Sequence, residues 1–202
     1  MLTTAAIIEG VVRMQAHHAA IRDALNEADR ALGDGDTGMT VATIIGACDG
    51  VAAQLPADLG AALAELGRAA SRASGSSLGA VLAMGLSAAG RTARGKDSAI
   101  CADVCAMLDA ATRVITERSG ATPGDKTVLD SFLHIQQALA SCVTHAPMLP
   151  PAITAARAAL DLFRPRESRL GRARMYGSRS IGLDDPGMLA VALLLEAVAV
   201  DR

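Results

Sequence analysis

The sequence is poor in aromatic residues, with no Trp, one Tyr and two Phe among 202 residues. The apolar residues, 51% of the chain, are therefore mainly Ala, followed by Leu, Val, Ile and Met. This composition favours helices that pack closely together. Positive charge is not in excess either, because the formal net charge is −2. That balance gives no indication of a broad basic surface for nucleic acid or for anionic lipid.

Cysteine motifs and long hydrophobic runs are also missing. The four cysteines lie in helical patterns without a Cys-x-x-Cys pair and are Cys48, Cys101, Cys105 and Cys142. The most apolar stretch, 188–200, is too short to span a bilayer and contains Glu196. With no recognisable signal peptide, we expect one cytoplasmic domain over residues 1–202 whose cysteines are reduced and mostly buried.

Apolar residues recur at helical spacing along most of the chain, and no convincing strand pattern is present. Glycine, proline and polar stretches divide the pattern into eight segments with mostly short connections. The predicted helices cover about residues 3–27, 38–54, 58–72, 78–92, 98–118, 126–145, 152–163 and 186–201. Short connections join antiparallel neighbours, so we predict an all-α, up-and-down antiparallel array.

Three aspartates are interleaved with glycines between the first two predicted helices. Asp29, Asp34 and Asp36 fall within eight residues, and like charges held this close require a cation to offset their repulsion. Short carboxylates suit Mg²⁺ or Ca²⁺ better than zinc or copper. The alternative is a turn whose aspartates bond only their own backbone. An EF-hand is excluded, because counting from Asp34 the fifth position is Gly38 and the twelfth is Ile45 instead of Glu.

The unusual loops of this chain precede every second helix. Besides the aspartate loop, they are Ser76-Ser77, Gly124-Asp125-Lys126-Thr127 and Asp185-Pro186-Gly187. In an up-and-down array all even-numbered helices begin at the same end, so we predict that the four loops share one rim. Their helix N-termini would offer N–H groups and partial positive charge to an anion such as a polyphosphate. The alternative is that these residues merely cap helices, but the odd-numbered helices lack comparable glycine-rich entries.

Two further motifs have alternative interpretations. The first resembles the end of a Walker A loop and reads Gly124-Asp125-Lys126-Thr127. No strand precedes it, so we exclude a P-loop. Asp125 or Lys126 would then cap the sixth helix or pair with a neighbouring residue. Between 164 and 179 every cation is an arginine. Arg172 or Arg179 could neutralise phosphate, or the segment could be a solvated surface loop. Three carboxylates and a diphosphate carry roughly six negative charges, and two Mg²⁺ offset about four.

The motifs occur together in an order that is typical of one family. They run Asp29-x4-Asp34-Gly-Asp36-x-Gly38, Gly75-Ser76-Ser77, Pro123-Gly124-Asp125-Lys126-Thr127-x-Leu129-Asp130, Gly171-Arg172-Ala173, Gly177-x-Arg179-Ser180-Ile181-Gly182 and Asp185-Pro186-Gly187. Over essentially the whole chain this combination resembles the nucleotide-binding L subunit of dihydroxyacetone kinase, DhaL. The resemblance implies a single domain that forms an eight-helix barrel, with ADP or ATP and two Mg²⁺ at one end.

The same resemblance implies roles for individual residues. Asp29, Asp34 and Asp36 would be the magnesium ligands. The implied phosphate contacts are Thr37, Gly38, Met39, Thr40, Ser76 and Ser77, and the implied lining of the nucleotide is Gly120, Val128, Arg172, Asp185, Pro186 and Gly187. No catalytic nucleophile is implied, since positioning and Mg²⁺ suffice for phosphoryl transfer. The chain departs from many relatives at Thr37, where they have His, near Thr40, where they have Asn, and in the register of its Ser76-Ser77 loop.

The resemblance also implies partners. The L subunit does not bind the sugar, so a separate K-type subunit would hold dihydroxyacetone or another small ketose and present it for phosphorylation. Either ADP stays bound and is rephosphorylated by a phosphotransferase-system phosphocarrier protein, or ATP is consumed, and the sequence fits both. We therefore expect a kinase subunit of glycerol metabolism. The alternative is a nucleotide-sensing module that regulates a partner protein without phosphoryl transfer.

Overall fold

The computed structural model describes residues 1–142 and 146–200. These residues form eight α-helices, one kinked 3₁₀ segment and one pair of two-residue strands. In chain order the elements are β1 Leu2–Thr3, α1 Thr4–Arg30, α2 Thr37–Ala52, α3 Leu59–Ala73, α4 Ser77–Thr92, β2 Ser98–Ala99, α5 Cys101–Ser119, α6 Val128–Ala140, α7 Leu149–Phe163, the 3₁₀ segment Arg172–Ser180 and α8 Pro186–Ala199.

The helices form a closed ring in the order of the sequence. Each helix packs against the next along the chain, and α1 packs against α8 to close the ring. The predicted all-α, up-and-down barrel is confirmed. No helix in the described ranges combines the length and apolar character needed to cross a bilayer.

The ends of several helices differ from the sequence-based prediction. Helix α1 continues to Arg30, which places Asp29 in its last turn instead of in a loop. Helix α6 begins at Val128, because Lys126 has a left-handed backbone (φ +61°) that cannot continue a helix. Helix α7 begins three residues early, since prolines are tolerated in a first turn, where an N–H is not needed. The predicted ends of the sixth and eighth helices, at 145 and 201, lie outside the described residues.

The prediction that the chain lacks strands is wrong for one short pair. Strand β1 pairs antiparallel with β2, with Leu2 opposite Ala99 and Thr3 opposite Ser98. Two residues are too few to show the alternation that identifies a strand in a sequence. The pair delays the start of α5 from the predicted Ser98 to Cys101.

The wall of the barrel depends on very close contact between α3 and α4. A Cβ atom built on Gly60 would lie 2.4 Å from the carbonyl oxygen of Gly90, and one built on Gly90 would lie 2.7 Å from the carbonyl oxygen of Gly60. The two backbones therefore touch directly, with no side chain between them. This packing explains how a chain with so few aromatic residues fills its core with alanine and aliphatic side chains.

Gly60→Ala is expected to lower the free energy of unfolding by about 1–3 kcal/mol, because the added methyl group would overpack a backbone contact. The matched control is Gly50→Ala on α2, where a Cβ atom meets nothing within 4 Å. There the gain in helix propensity is expected to leave stability unchanged or to raise it by up to about 1 kcal/mol. Urea denaturation of both variants measures the difference, and equal effects would contradict the packing argument.

Candidate functional site

A cavity of about 400 Å³ opens at one end of the barrel. Its wall is built from the N-terminal ends of α2, α4, α6 and α8, which are all the even-numbered helices. The predicted site residues in this wall are Thr37, Thr40, Ser76, Ser77, Val128, Asp185, Pro186 and Gly187. The C-terminal ends of α1 and α5 complete the rim through Asp29 and Ser119. The prediction that the four unusual loops meet at one rim is confirmed.

Three of the even-numbered helices are capped by the side chain of the residue before them. Ser76 accepts a hydrogen bond from the Gly79 amide at 3.0 Å. In the same way Thr127 accepts from the Leu129 amide at 3.3 Å, and Asp185 from the Met188 amide at 2.9 Å. Other amides of each first turn have no acceptor within the helix. The cavity is therefore bordered by N–H donors and hydroxyl groups, an arrangement that suits an anionic ligand.

Helix α2 is capped across the loop by Asn26 of α1. The Asn26 Oδ1 accepts hydrogen bonds from the amides of Gly38 and Met39, at 2.8 and 3.3 Å. A Cβ atom on Gly38 would lie 2.0 Å from the carbonyl oxygen of Arg22, so only glycine lets α1 and α2 meet here. Gly38 and Met39 do not line the cavity, and their contact with phosphate stays a prediction. Sequence reasoning missed Asn26, although its place one turn before Asp29 was an available signal.

The three predicted metal ligands lie together. Asp29 and Asp36 line the cavity, and Asp34 lies beside them without lining it. Asp29, Asp34 and Asp36 each offer a carboxylate oxygen, and these oxygens all lie within 4.8 Å of one another. Asp29 is buried, and its Oδ2 accepts hydrogen bonds from the amides of Asp36 and Thr37, at 2.9 and 3.1 Å. These two bonds fold the loop back onto the end of α1 and bring the other two aspartates to Asp29.

The proximity of the carboxylates shifts their pKa values in opposite directions. For Asp36, burial and the hydrogen bond and charge of Asp34 raise the pKa above its usual value. Burial also acts to raise the pKa of Asp34, but the hydrogen bond with Asp36 and the Arg172 guanidinium outweigh it, so this pKa is lowered. The opposite shifts reflect the repulsion between the two carboxylates, as expected for a pair that needs a cation between them.

Arg172 supplies positive charge to this cluster. Its Nη1 forms an ion pair with Asp34 and lies 3.6 Å from Asp36 Oδ1. The adjoining 3₁₀ segment also contacts the aspartate loop, because the Tyr176 hydroxyl donates to the carbonyl oxygen of Gly33 at 3.4 Å. Arg172 lines the cavity as predicted, whereas Arg179 lies beside the Tyr176 ring, 5.5 Å from its centroid. Of the two interpretations of the arginine-rich segment, the solvated surface loop does not hold at this end, because residues 170–173 form part of the cavity wall.

Gly120, Asp125 and Lys126 do not line the cavity. Gly120 ends α5 in a left-handed conformation (φ +72°) and lies between the cavity-lining Ser119 and Ala121 without lining the cavity itself. Neither Asp125 nor Lys126 caps α6, because Thr127 occupies that position. Lys126 is instead buried and bonds backbone carbonyls, a placement that nothing in the sequence pattern indicated.

Asp185 combines a capping role with a raised pKa. Burial raises the pKa of Asp185 to about 6, although hydrogen bonds from the amides of Met188 and Gly187 and the charge of Lys126 oppose the shift. In the unfolded chain the pKa of an Asp is near 3.9. Between these values the folded protein binds a proton that the unfolded chain does not bind. Below about pH 4 the Asp185 carboxyl is protonated in both states and does not lower the free energy of unfolding. As the pH rises from about 4 through 6, the carboxyl lowers this free energy progressively.

Asp185→Asn keeps a side chain that can cap α8 but removes the titrating carboxylate. We expect the free energy of unfolding of the variant, relative to the unmodified protein, to rise by on the order of 2 kcal/mol between pH 4 and pH 7.5. Asp109→Asn, at an exposed position on α5, controls for the loss of one negative charge. Chemical denaturation at several pH values measures the difference, and a constant offset across this range would contradict the assignment.

Comparisons with known proteins agree with this geometry. A family model described as the DAK2 domain matches residues 31–200. The L-erythrulose 1-kinase of Mycolicibacterium smegmatis is 33% identical over 183 residues, which are 86% of this chain and 31% of that protein. The human triokinase/FMN cyclase is 30% identical over 187 residues, 88% of this chain and 32% of that protein. The chain thus spans about a third of the length of these two relatives.

A third relative is of similar size to this chain. The ADP-binding subunit DhaL of the PEP-dependent dihydroxyacetone kinase of Escherichia coli is 26% identical over 180 residues, 85% of this chain and 84% of the subunit. Among solved structures, the native dihydroxyacetone kinase of C. freundii gives a TM-score of 0.75 at 25% identity, over 96% of this chain and 34% of that one. Dihydroxyacetone kinase from C. freundii in complex with AMP-PNP and Mg²⁺ shares the fold, with a TM-score of 0.72 at 23% identity, over 98% of this chain and 33% of that one.

The family match extends over most of the chain, and the helical barrel is the one seen in dihydroxyacetone kinase. The relatives reported above include a DhaL subunit and two kinases of greater length. The chain therefore belongs to the DAK2 domain family and is of the DhaL type.

Proposed function

We propose that this chain is the nucleotide-binding unit of a kinase that phosphorylates dihydroxyacetone or another small ketose. In this proposal it binds ADP or ATP with two Mg²⁺ and transfers a phosphoryl group to a sugar held by a K-type unit. The observation that carries the proposal is that four helix N-termini meet at one cavity together with an aspartate cluster, two members of which, Asp29 and Asp36, line the wall. A cavity that offers both amides and carboxylates suits a metal–polyphosphate complex, because each half of the ligand meets opposite charge.

The donor set fits magnesium. All three side chains offer hard carboxylate oxygens, and the oxygens lie close enough together to share a cation. A Cβ atom on Gly33 would lie 2.3 Å from Asp29 Oδ1, so glycine keeps the space beside that oxygen open. In support, a dihydroxyacetone kinase with the same fold has been solved with AMP-PNP and Mg²⁺. Bound Mg²⁺ would neutralise charge on the transferring phosphoryl group.

The remaining wall divides into a polar and an apolar part. The hydroxyl groups of Thr37, Thr40, Ser76 and Ser77 and the first-turn amides would bind phosphate oxygens, and Arg172 would balance their charge. The apolar part would hold the nucleobase and comprises Val81, Ile115, Ala121, Val128, Leu129 and Leu170. No His, Cys or Lys lines this cavity among the described residues. In this proposal, positioning and charge compensation carry the reaction.

The sugar is proposed to bind elsewhere. Domains similar to this chain occur in kinases named for L-erythrulose, D-erythrulose and dihydroxyacetone. This variety supports a nucleotide unit that serves different sugars, with the choice of ketose made by the K-type unit. In DhaL of E. coli the nucleotide unit is a subunit of a PEP-dependent kinase. That arrangement supports the proposal that this chain works with a K-type partner and that a phosphocarrier protein rephosphorylates its bound ADP. The alternative is that ATP is the phosphoryl donor and is consumed. Glycerol metabolism and a cytoplasmic location stay predictions.

Asp36→Asn is expected to weaken the binding of ADP in the presence of Mg²⁺ by on the order of 100-fold, because the cluster loses one anionic ligand. Asp34→Asn is expected to act in the same direction. Isothermal titration calorimetry of ADP with and without Mg²⁺ measures the effect. Asp109→Asn, outside the cavity, is the matched control and should bind like the unmodified protein.

Turnover separates the kinase from a nucleotide-sensing module. With a purified K-type subunit, dihydroxyacetone and either ATP or a phosphorylated phosphocarrier protein, the unmodified chain should form the sugar phosphate and the Asp36 variant should not. Tight Mg²⁺-dependent binding of ADP without sugar phosphate, in every such combination, would favour the module. Unchanged binding in both aspartate variants would remove the assigned metal site.

A further inference from the structure

Lys126 is the largest fully buried side chain among the described residues, with 1% of its surface exposed. It lies just before α6 with φ +61°, a left-handed conformation that residues other than glycine rarely adopt. Its Nζ donates to the backbone carbonyl oxygens of Arg166 and Ser180, at 2.9 and 2.8 Å, and to that of Arg164 at 3.3 Å. A buried ammonium needs such acceptors, because burial without them is costly. All three donor sites of Lys126 are thus used on backbone groups.

The three carbonyl groups belong to the two ends of one segment, the arginine-rich strap of residues 164–180. Arg164 and Arg166 begin the strap, and Ser180 ends it. Other bonds join the same ends, since Ser168 N donates to Ser180 Oγ at 2.9 Å and Gly182 N donates to the carbonyl oxygen of Arg164 at 2.8 Å. Lys126 therefore lies at the base of the strap and holds its entry and exit together.

The tip of the strap is the part that reaches the functional site. Arg172 pairs with Asp34 and lies near Asp36, and Tyr176 donates to the Gly33 carbonyl oxygen. Gly171 and Gly177 border this tip with φ of +69° and +52°, so the chain turns sharply on each side of it. The position of the Arg172 guanidinium therefore depends on how the two ends of the strap are held at its base.

Lys126 acts neither as the partner of an ion pair nor as a contact for a ligand in the cavity. Burial lowers the pKa of Lys126, and the charges of Asp185 and Asp184 oppose that shift. Among the described contacts, Lys126 Nζ bonds only backbone carbonyl groups and forms no ion pair with either aspartate. Asp184 is already paired with Arg164, at 2.8 Å from Oδ1 to Nε. Lys126 does not line the cavity, so it does not touch a ligand there.

We propose that Lys126 is a positioning residue, which fixes the base of the strap and thereby sets Arg172 against the aspartate cluster. It acts on the cavity only through Arg172. The part of this proposal that concerns ligand affinity rests on the proposed function, whereas the part that concerns the strap does not.

Trypsin reports on the strap directly, because it cleaves after arginine unless proline follows. Pro165 blocks cleavage after Arg164, which leaves five sites in the strap: Arg166, Arg169, Arg172, Arg174 and Arg179. In Lys126→Met, we expect cleavage within residues 164–179 to be at least about tenfold faster, with the sites identified by mass spectrometry. Cleavage at Arg113 on α5, and the helical circular dichroism signal, should be unchanged. Equal acceleration at Arg113 would show general unfolding and would overturn the proposal, as would unchanged cleavage of the strap.

A second variant covers the case in which Lys126→Met does not fold. Ser180→Ala removes the hydroxyl group that accepts from Ser168 N and donates to the Gly177 carbonyl oxygen, and it leaves no buried charge without acceptors. It should accelerate cleavage of the strap in the same selective way. Failure of this milder change to loosen the strap would count against the base as the fixing point.

A double-mutant cycle tests the route through Arg172. Lys126→Met and Arg172→Gln are each expected to weaken the binding of ADP with Mg²⁺ by about tenfold, and the double variant should bind no more weakly than Arg172→Gln alone. Additive losses, about 100-fold together, would overturn the role through Arg172. If the unmodified protein binds no ADP with Mg²⁺, the proposed function fails, while the trypsin result still decides whether Lys126 holds the strap.

Discussion

The alternating direction of the helices is the constraint on which the site depends. Every even-numbered helix begins at the cavity, and α1 and α5 end there. A helix carries partial positive charge at its N-terminal end and partial negative charge at its C-terminal end. The aspartates cluster between the C-terminal end of α1 and the N-terminal end of α2, where Asp29 accepts hydrogen bonds from the Asp36 and Thr37 amides. The hydroxyl groups and the other first-turn amides lie at the N-terminal ends of α4, α6 and α8, where the helix dipole favours anions. A cation joined to a polyphosphate meets complementary charge in both of its parts.

Much of this arrangement could be predicted from the sequence, because it follows from helix count and loop composition. Short connections and eight amphipathic segments are enough to place the loops before α2, α4, α6 and α8 at one end. The aspartate cluster is local in sequence, so its convergence was also predictable. The exact ends of helices were not, and this had a consequence for the site. Asp29 belongs to the last turn of α1, which makes it a rigid and buried member of the cluster.

Other features depend on contacts between segments that are far apart in the chain. Asn26 caps α2 across a loop, and such a role leaves only a weak trace in the sequence. From the sequence, Lys126 is expected to cap α6 or to pair with a neighbour, and lysine is seldom fully buried. Its environment comes from carbonyl groups 38 to 54 residues away. Sequence patterns describe periodicity within a segment, and they contain no signal for acceptors supplied by another one.

The closure of the ring by α1 and α8 has a consequence for how the domain can be joined to other chains. Arg13 on α1 donates to the carbonyl oxygen of Val198 on α8, at 2.8 Å, so the early part of α1 lies beside the last turn of α8. Both of these regions are at the pole of the barrel away from the cavity mouth. A linker attached at either side would leave the mouth uncovered. The same architecture can therefore stand alone as a subunit or form one module of a longer enzyme, as its occurrence in a DhaL subunit and in kinases three times its length illustrates.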